Sequence, residues 1–383
     1  MDYQKASALL DKTLRYSRER EYRGYDKTDG LSSRILDILP VDSKWVNIAF
    51  QESAKRAPVN IRPLLLVDQR RNFKGTALFA CANLTAWQAT GEDRYRKDAI
   101  KLLDWLLENR SRGYSGFCGG HQHDVQTLER KIPAKSPGIV GTSYAVRALL
   151  RGAELDDKYI DVAKTATGYV FEDLAYEEIP AGARIRYKPD DAADYYTLNA
   201  NALGARLLLD IHAEINDETC HEAARKILDY VSSQQTDIGG WMYRDPPEAS
   251  HVSMDNYHNG FIIESLQRYQ EVTGNPRYSN VLDDALSFYR EILYEPDGAP
   301  NWDEENQYPK DTHAAAQGIV TFVNSGEKEF ASRILDWTEN HLHAANGQLY
   351  YQKERFYTKR FTLMRWCQGW MAYALSEYVR HVE

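Results

Sequence analysis

Two kinds of helical pattern alternate along the chain. Six segments are small and apolar on nearly every side, and they begin near Gly75, Gly141, Leu198, His258, His313 and Arg365. Helices without a polar face are normally buried. Five amphipathic segments with a charged face alternate with them, and the N-terminal segment from Tyr3 is a sixth of that type. The pattern therefore predicts six buried helices and six solvent-facing ones.

The spacing of the buried segments helps to distinguish a closed ring of helices from an open solenoid. Their starts lie about 50 to 66 residues apart, further than the roughly 34 residues of a helical-pair solenoid repeat. An open array needs polar helices at its ends, yet the last segment, RWCQGWMAYALSEY, is apolar. We therefore predict an all-α fold, the (α/α)6 toroid, with an open solenoid or an irregular helical domain as alternatives.

In this prediction residues 1–383 form a single domain, and the N-terminal helix completes the outer ring beside the last inner helix. Residues 31–72 fit the repeat poorly. We expect them to form an extra helix packed on one end of the ring.

Composition narrows the functional classes. The net charge of −9 argues against binding to nucleic acids or anionic membranes. No apolar run reaches the length of about 18 residues that a transmembrane helix needs. The charged N-terminal helix does not resemble a signal peptide, and the four cysteines are scattered along the chain. A cytoplasmic protein without disulfide bonds is the simplest interpretation.

The connections between the predicted helices fall into two classes. Inner-to-outer turns such as TGEDR and INDET are short, whereas outer-to-inner connections are long and place Tyr or Trp beside charged residues. In a ring, all the long connections open on one face. We therefore predict a ligand-binding mouth on that face, with short rim strands at RIRYKP, GWMYRD and QLYYQK.

The mouth is also rich in basic residues, namely Arg184, Arg186, Lys188, Arg244, Lys353, Arg355, Lys359, Arg360 and Arg365. Arginine suits bidentate contacts with carboxylates and phosphates, which favours an anionic ligand. Neutralisation of neighbouring aspartates is the alternative. The predicted substrate-binding residues are Trp241, Tyr243, Arg244, Arg186, Tyr187, Trp302, Asp303, Tyr351, Arg365, Trp366 and His123.

The stretch HVSMDNYH, which ends at His258, places several proton-transfer groups where a buried helix begins. Proton abstraction beside a carboxylate needs a base, together with cations or donors that stabilise the developing charge. A tyrosine can be that base if nearby Arg or His lowers its pKa from about 10. The catalytic candidates are Tyr257, His258, His313, Asp255 and Tyr308. Asp255 could instead cap the helix, and His258 and His313 should face one cavity.

Two motifs resemble a known group of enzymes. DNYHNGFIIESLQRY and RWCQGWMAYALSEY resemble the NGF-type and RW-type helices in the toroid domain of glucuronyl C5-epimerases. The architecture is similar to that of polysaccharide lyases, unsaturated glucuronyl hydrolases and sugar 2-epimerases. REREYRGYDKTDGLSS resembles uncharacterised proteins of prokaryotic surface-polysaccharide clusters. The sugar 2-epimerase His–Glu motif is not reproduced, because Glu264 lies six residues after His258.

The resemblance implies an enzyme that acts on an acidic, uronate-containing glycan or sugar by proton abstraction, as a lyase or an epimerase. Glycoside hydrolysis is the first alternative, and it needs two carboxyl groups about 5 to 10 Å apart. The carboxyl groups available are those of Asp255, Asp303, Glu304, Asp311, Asp191 and Asp194. A glycan-binding protein without catalysis is the second alternative.

A metal site is a further option at CGGHQHD, which offers Cys118, His121, His123 and Asp124 as ligands that suit zinc. No second ligand cluster is close in sequence. We therefore favour a sugar-contacting or structural loop there, and we predict neither a metal nor another cofactor.

Overall fold

The computed structural model describes residues 2–39, 43–128, 130–191 and 193–382. Its helices are α1 (Tyr3–Arg18), α2 (Arg34–Ile38), α3 (Lys44–Arg56), α4 (Phe73–Thr90), α5 (Asp93–Glu108), α6 (Ile139–Arg151), α7 (Lys158–Ala163), α8 (Ala166–Gly168), α9 (Leu198–Ile215), α10 (Glu218–Ser233), α11 (Asn256–Thr273), α12 (Ser279–Glu291), α13 (Thr312–Asn324), α14 (Lys328–Leu342) and α15 (Trp370–Val382). π-helical turns at Tyr169–Asp173 and Met364–Gly369 extend α8 and precede α15, and 3-10 turns lie at Asp29–Ser32, Gly152–Glu154 and Pro247–Ala249.

Six of these helices form a closed inner ring in the order α4, α6, α9, α11, α13 and α15. Each packs against the next, and α15 packs against both α13 and α4, which closes the ring. The outer layer consists of α1, α5, α7 with α8, α10, α12 and α14, and α1 packs on α15. The predicted (α/α)6 toroid is confirmed. Its treatment as a single domain over 1–383 stays a prediction, and residues 1, 40–42, 129, 192 and 383 lie outside the described residues.

Side-chain size and periodicity explain the two layers. The outer helix α5 buries Tyr95, Ala99, Leu102 and Leu106, spaced three or four residues apart, and exposes its charged side. The inner helices approach closely because small residues line them. A Cβ atom at Gly260 of α11 would lie only 2.4 Å from Cγ of Gln317 on α13. These contacts place the hydrophobic core between the two layers and inside the ring.

The two classes of connection differ in length, as the sequence predicts. Residues 91–92, 216–217, 274–278 and 325–327 join inner to outer helices by short turns. Gly91 and Gly274 end α4 and α11 with positive φ angles of 71° and 65°, a conformation that glycine adopts without strain. Residues 109–138, 174–197, 234–255, 292–311 and 343–363 return to the inner ring by long paths.

Short antiparallel strands stiffen these long connections. The strands are β1 (Val125–Gln126), β2 (Lys131–Ile132), β3 (Glu177–Ile179), β4 (Gly182–Arg184), β5 (Tyr196–Thr197), β6 (Arg244–Asp245), β7 (Lys310–Asp311), β8 (Gln352–Lys353) and β9 (Thr358–Lys359). They pair as β1–β2, β3–β4, β5–β6 and β7–β8–β9. The predicted strands at GWMYRD and QLYYQK contain β6 and β8, and RIRYKP overlaps β4 at Arg184. The β5–β6 and β7–β8 pairs join successive connections around the mouth.

Residues 29–39 and 43–67, which we call the cap, contain two helices, α2 and α3, instead of the single extra helix expected. The Gln51 side chain of α3 exchanges hydrogen bonds with the backbone of Gln126. The buried guanidinium of Arg62 donates to Asp29 Oδ1 at 2.6 Å, to the Ala54 carbonyl at 2.9 Å and to the Asp26 carbonyl at 2.8 Å. Arg62 therefore fixes α3 and the loop that carries Asp26 to each other.

No helix in the described ranges combines the length and the apolar character needed to cross a membrane. The longest inner helices are apolar because they pack inside the ring.

We expect Arg62→Met to lower the free energy of unfolding by about 3 to 5 kcal/mol, because it leaves the buried Asp29 carboxylate without its cation. The matched control is Arg56→Met, since the exposed Arg56 side chain pairs with Glu52. This variant should change stability by about 0.5 kcal/mol or less. Urea unfolding gives the global effect, and hydrogen exchange of the Asp26 amide, which donates to Asp29, gives the local one. Equal stability and equal exchange in the two variants would contradict this role of Arg62.

Candidate active site

A cavity of about 320 Å³ opens at the mouth of the ring, a size typical of small-molecule sites. The first turns of five inner helices reach it through Lys74, Val140, Asn199, Tyr257, His258 and His313, and the π-helical turn before α15 reaches it through Arg365 and Trp366. Phe261, from the second turn of α11, also lines it. The cap and the loop before it add Lys27, Thr28 and Lys55, and the long connections add His121, Tyr187, Lys188, Tyr243 and His251. The cavity is therefore assembled from every repeat of the ring.

The cavity wall is cationic. Lys27, Lys55, Lys74, Lys188 and Arg365 line it, and no carboxylate group does among the residues that the structure describes. The six inner helices also direct their N-termini at the cavity, where the backbone carries a partial positive charge. Only Lys188 and Arg365 belong to the basic set predicted from the sequence. The electrostatics of the wall favour an anionic ligand.

Arg365 is held in place by a buried carboxylate. Its Nε atom donates to Asp26 Oδ2 at 2.8 Å and its Nη2 atom to Asp26 Oδ1 at 2.5 Å, and Asn72 donates to Asp26 Oδ2 at 2.7 Å. Burial alone would raise the pKa of Asp26, but Arg365 lowers it below its usual range. Asp26 thus stays ionised and orients Arg365 by a bidentate contact.

Burial lowers the pKa of three lysines that line the cavity. Burial lowers the pKa of Lys27 to about 8, although Asp311 opposes the shift, and burial also lowers that of Lys188 to about 8. Burial, with a further contribution from Arg365, lowers the pKa of Lys74 well below its usual value. Desolvation of the ammonium form is the physical cause in all three.

Asp255 does not cap α11 through its side chain, which corrects the helix-cap interpretation. Its Oδ1 atom instead accepts a hydrogen bond from His258 Nδ1 at 2.8 Å, and the carboxylate is almost fully buried. Because an ionised carboxylate only accepts, His258 Nδ1 carries the proton and Nε2 keeps its lone pair. His258 is therefore a base whose tautomer and orientation are fixed by a buried acid.

Tyr257 and His313 form an aromatic stack on the same wall, so His258 and His313 do face one cavity. The Tyr257 ring centroid lies 4.5 Å from that of His313, which lies 4.2 Å from that of Trp370. Burial lowers the pKa of His313 well below its usual value, so its ring is neutral. Burial, reinforced by Asp255 and Asp311, raises the pKa of Tyr257 well above its usual value, the reverse of the lowering expected for a tyrosine base.

Trp366 packs edge-on against Tyr257 and His313, and Lys27 lies over the Trp366 ring. Trp366 Nε1 donates to Asp311 Oδ1 at 2.8 Å, and Asp311 also caps α13 through the His313 amide. Gln352 donates to Asp311 Oδ2 at 2.7 Å. Lys27 Nζ lies 3.6 Å from the Trp366 ring centroid. Asp311 therefore positions Trp366 from behind the wall, as Asp255 positions His258.

The structure brings together seven of the predicted site residues on this cavity, namely Tyr257, His258, His313, Tyr187, Tyr243, Arg365 and Trp366. Two more lie directly behind it: Asp255, and His123, whose Nε2 atom is 3.1 Å from Thr28 Oγ1. Trp302 lies at its edge, with its ring centroid 5.8 Å from Lys27 Nζ.

The remaining predicted site residues do not line the cavity, and their contacts explain why. Trp241 is buried in the core, where its Nε1 atom donates to the Val231 carbonyl at 2.8 Å. Arg186 and Arg244 donate to backbone carbonyls of their own loops. Asp303 accepts hydrogen bonds from Asn306 and closes a turn. The placement of Tyr351, buried against Phe361, and of Tyr308, half-buried before β7, likewise corrects the sequence-based assignment.

Beside the cavity, three residues could in principle hold a metal ion. Potential ligand atoms of Asp26, His121 and His123 all lie within 4.8 Å of one another, whereas Cys118 is buried in the core and Asp124 pairs with Lys131. Asp26 already binds Arg365 through both oxygen atoms. A cation at this point would have to displace that guanidinium, so the donor set fits a hydrogen-bonded support for Arg365 better than a metal centre.

Comparison with known proteins identifies the fold. No protein-family model matches the sequence, and no curated protein is similar to it in sequence. Among solved structures, a cellobiose 2-epimerase from Bacillus thermoamylovorans B4167 is similar, with a TM-score of 0.66, 15% identity and coverage of 81% of this chain and 88% of that one. A GH76 alpha-mannanase from Bacteroides thetaiotaomicron has a TM-score of 0.61, 14% identity and coverage of 81% and 86%. A family 88 glycosyl hydrolase from Bacteroides vulgatus has a TM-score of 0.58 and 11% identity, with coverage of 82% of this chain and 93% of that one.

We expect the affinity of the cavity for D-glucuronate to fall as the pH rises from 7 to 9. The pKa of Lys27 is about 8, so its ammonium form predominates below that pH and is lost above it. Loss of the proton from each such lysine that contacts the ligand should weaken binding about tenfold over this range. Titration calorimetry should show a flatter profile for Lys27→Arg, whose charge persists, with D-glucose as the neutral control. An unchanged pH profile in Lys27→Arg would contradict the assignment.

Proposed function

We propose that this chain is a carbohydrate-active enzyme that removes a proton beside the carboxylate of a uronate-containing glycan or sugar. One observation carries the proposal: a cationic cavity, which no carboxylate of the described residues lines, contains a histidine base that a buried aspartate orients. The similar toroids include a sugar epimerase and glycoside hydrolases. These similarities support a sugar substrate, and the cationic wall supports an acidic one.

In the proposed step, His258 Nε2 accepts the hydrogen on the carbon next to the carboxylate as a proton. The electron pair left behind spreads into the carboxylate as an enolate-like anion. Lys27, Arg365 and the helix N-termini stabilise that charge. Tyr257, neutral because its pKa is raised, is suited to donate a hydrogen bond.

The hydrolase alternative is less well supported. None of the six carboxyl groups considered from the sequence lines the cavity. Asp255 holds His258, Asp311 holds Trp366 and Gln352, and Asp303 closes its own turn. A hydrolase needs both a carboxylic acid and a carboxylate beside the glycosidic bond, and Asp255 and Asp311 are already engaged behind the wall.

The test is a panel of uronate-containing oligosaccharides incubated in D₂O. We expect deuterium at the carbon next to the carboxylate, or an unsaturated product detected by ultraviolet absorbance. Because His258 is the base, His258→Asn should reduce the rate about 10²- to 10⁴-fold. Asp255→Asn should also reduce it, by misorienting the ring. His341→Asn is the control, since His341 stacks on Trp337 of the same outer helix.

The outcomes separate the alternatives. New reducing ends without deuterium incorporation or an unsaturated product would identify a hydrolase. Binding with neither cleavage nor exchange over the whole panel would identify a glycan-binding protein and overturn the enzyme proposal.

A further inference from the structure

We propose that Lys74 is a second acid–base residue of this site, acting on the face of the sugar opposite His258. The reaction is then an epimerisation that inverts the carbon next to the carboxylate, and not an elimination. This inference rests on the proposed function and specifies its outcome. Lys74 is absent from the residues that sequence analysis singled out.

The ring geometry sets the two residues opposite each other. The helix α4 packs against α6 and α15, whereas α11 packs against α9 and α13. Two inner helices therefore separate α4 from α11 in either direction around the ring. Lys74 is the second residue of α4 and His258 is the third residue of α11, so both lie at the same end of the ring. Both line the one cavity.

Lys74 is free to exchange a proton with a ligand. Its side chain forms no ion pair or hydrogen bond within the described parts of the chain, and its Nζ atom lies 5.3 Å from the Trp370 ring centroid. Lys55, in contrast, pairs with Glu52 at 3.3 Å. Burial and the charges of Arg365 and Lys27 lower the pKa of Lys74, while Asp26 opposes them. The free amine has a lone pair that accepts a proton, and its conjugate acid returns one readily.

Other groups on the wall are less suited to this position. His313 belongs to α13, directly beside α11, and its ring is stacked between Tyr257 and Trp370. On the α4 side, Arg365 is tied to Asp26. Phe73, Val140 and Gly141, which also line that side, carry no titratable group.

The proton balance closes without a co-reactant. His258 Nε2 takes the proton from one face of the carbon, and the C–H electron pair passes into the carboxylate. The Lys74 ammonium then delivers a proton to the opposite face, and that electron pair forms the new C–H bond. In the reverse direction the Lys74 amine removes the proton and the His258 imidazolium returns one. Two acid–base groups on opposite faces are what inversion requires.

The experiment uses two disaccharides, one ending in D-glucuronate and the other in its C5 epimer L-iduronate, in D₂O with the full chain. The wild type should exchange the C5 hydrogen of both and interconvert them. Lys74→Met should lose interconversion about 10²- to 10⁴-fold, yet still exchange the epimer whose hydrogen faces His258. His258→Asn should show the mirror pattern, exchanging only the other epimer. Lys74→Arg, which keeps the charge but is a far weaker base, should behave as Lys74→Met does.

Lys101→Met is the control variant, since Lys101 is an exposed residue of the outer helix α5, and thermal unfolding verifies that each variant is folded. Interconversion by Lys74→Met at the wild-type rate overturns the inference. So does equal loss of exchange from both epimers in a folded Lys74→Met protein. Unsaturated product without inversion overturns it too, but leaves proton abstraction in place. Absence of both exchange and product in the wild type overturns the proposed function itself.

Discussion

The parallel arrangement of the six inner helices is the constraint on which the rest of the structure depends. Each runs from the mouth towards the far end of the ring, so six positive helix ends converge on one cavity and six negative ends converge opposite it. At the far end, Arg151, Arg268 and Arg380 line a second, smaller cavity, where they pair with carboxylates of Glu377 and Asp210. The positive helix ends favour an anion at the mouth.

Between the two ends, the axis of the ring is filled. Tyr144, Phe261 and Trp370 form an aromatic layer beneath the mouth. Below it, Glu264 accepts hydrogen bonds from Arg147 at 3.0 Å and from Gln317 at 3.2 Å. Glu264 therefore belongs to the structural network of the ring and not to the mouth. The mouth is a shallow cup because this filled axis closes its floor.

Buried aspartates hold three of the side chains that line the cavity. Asp26, Asp255 and Asp311 are all buried behind the wall, and they hold Arg365, His258 and Trp366, respectively. A buried carboxylate is costly unless it is paired or hydrogen-bonded. Each therefore fixes the orientation of the group that satisfies it. In this way aspartates shape a cavity that they do not line.

Hydrophobic periodicity was sufficient to predict the ring, the two classes of connection and the shared location of His258 and His313. It could not reveal Lys27, because that residue lies on a connection, where side chains do not follow a helical period. Lys74 precedes the apolar run at Gly75 by one residue, so its signal was its position at a helix start, equivalent to that of His313. Trp241 was misplaced because an aromatic residue on a connection can face either the cavity or the core. The hydrogen bond to Val231 that decides between them depends on tertiary packing.

The proposed chemistry depends on which groups around the cavity are neutral and which are charged, and not on any single residue. Burial alone would favour the neutral form of every group there. It does so for Tyr257 and His313, and it lowers the pKa of Lys74. Arg365 stays charged, because the ionised Asp26 pairs with it. The wall consequently offers neutral acids and bases beside a fixed positive charge, the combination that proton abstraction next to a carboxylate requires.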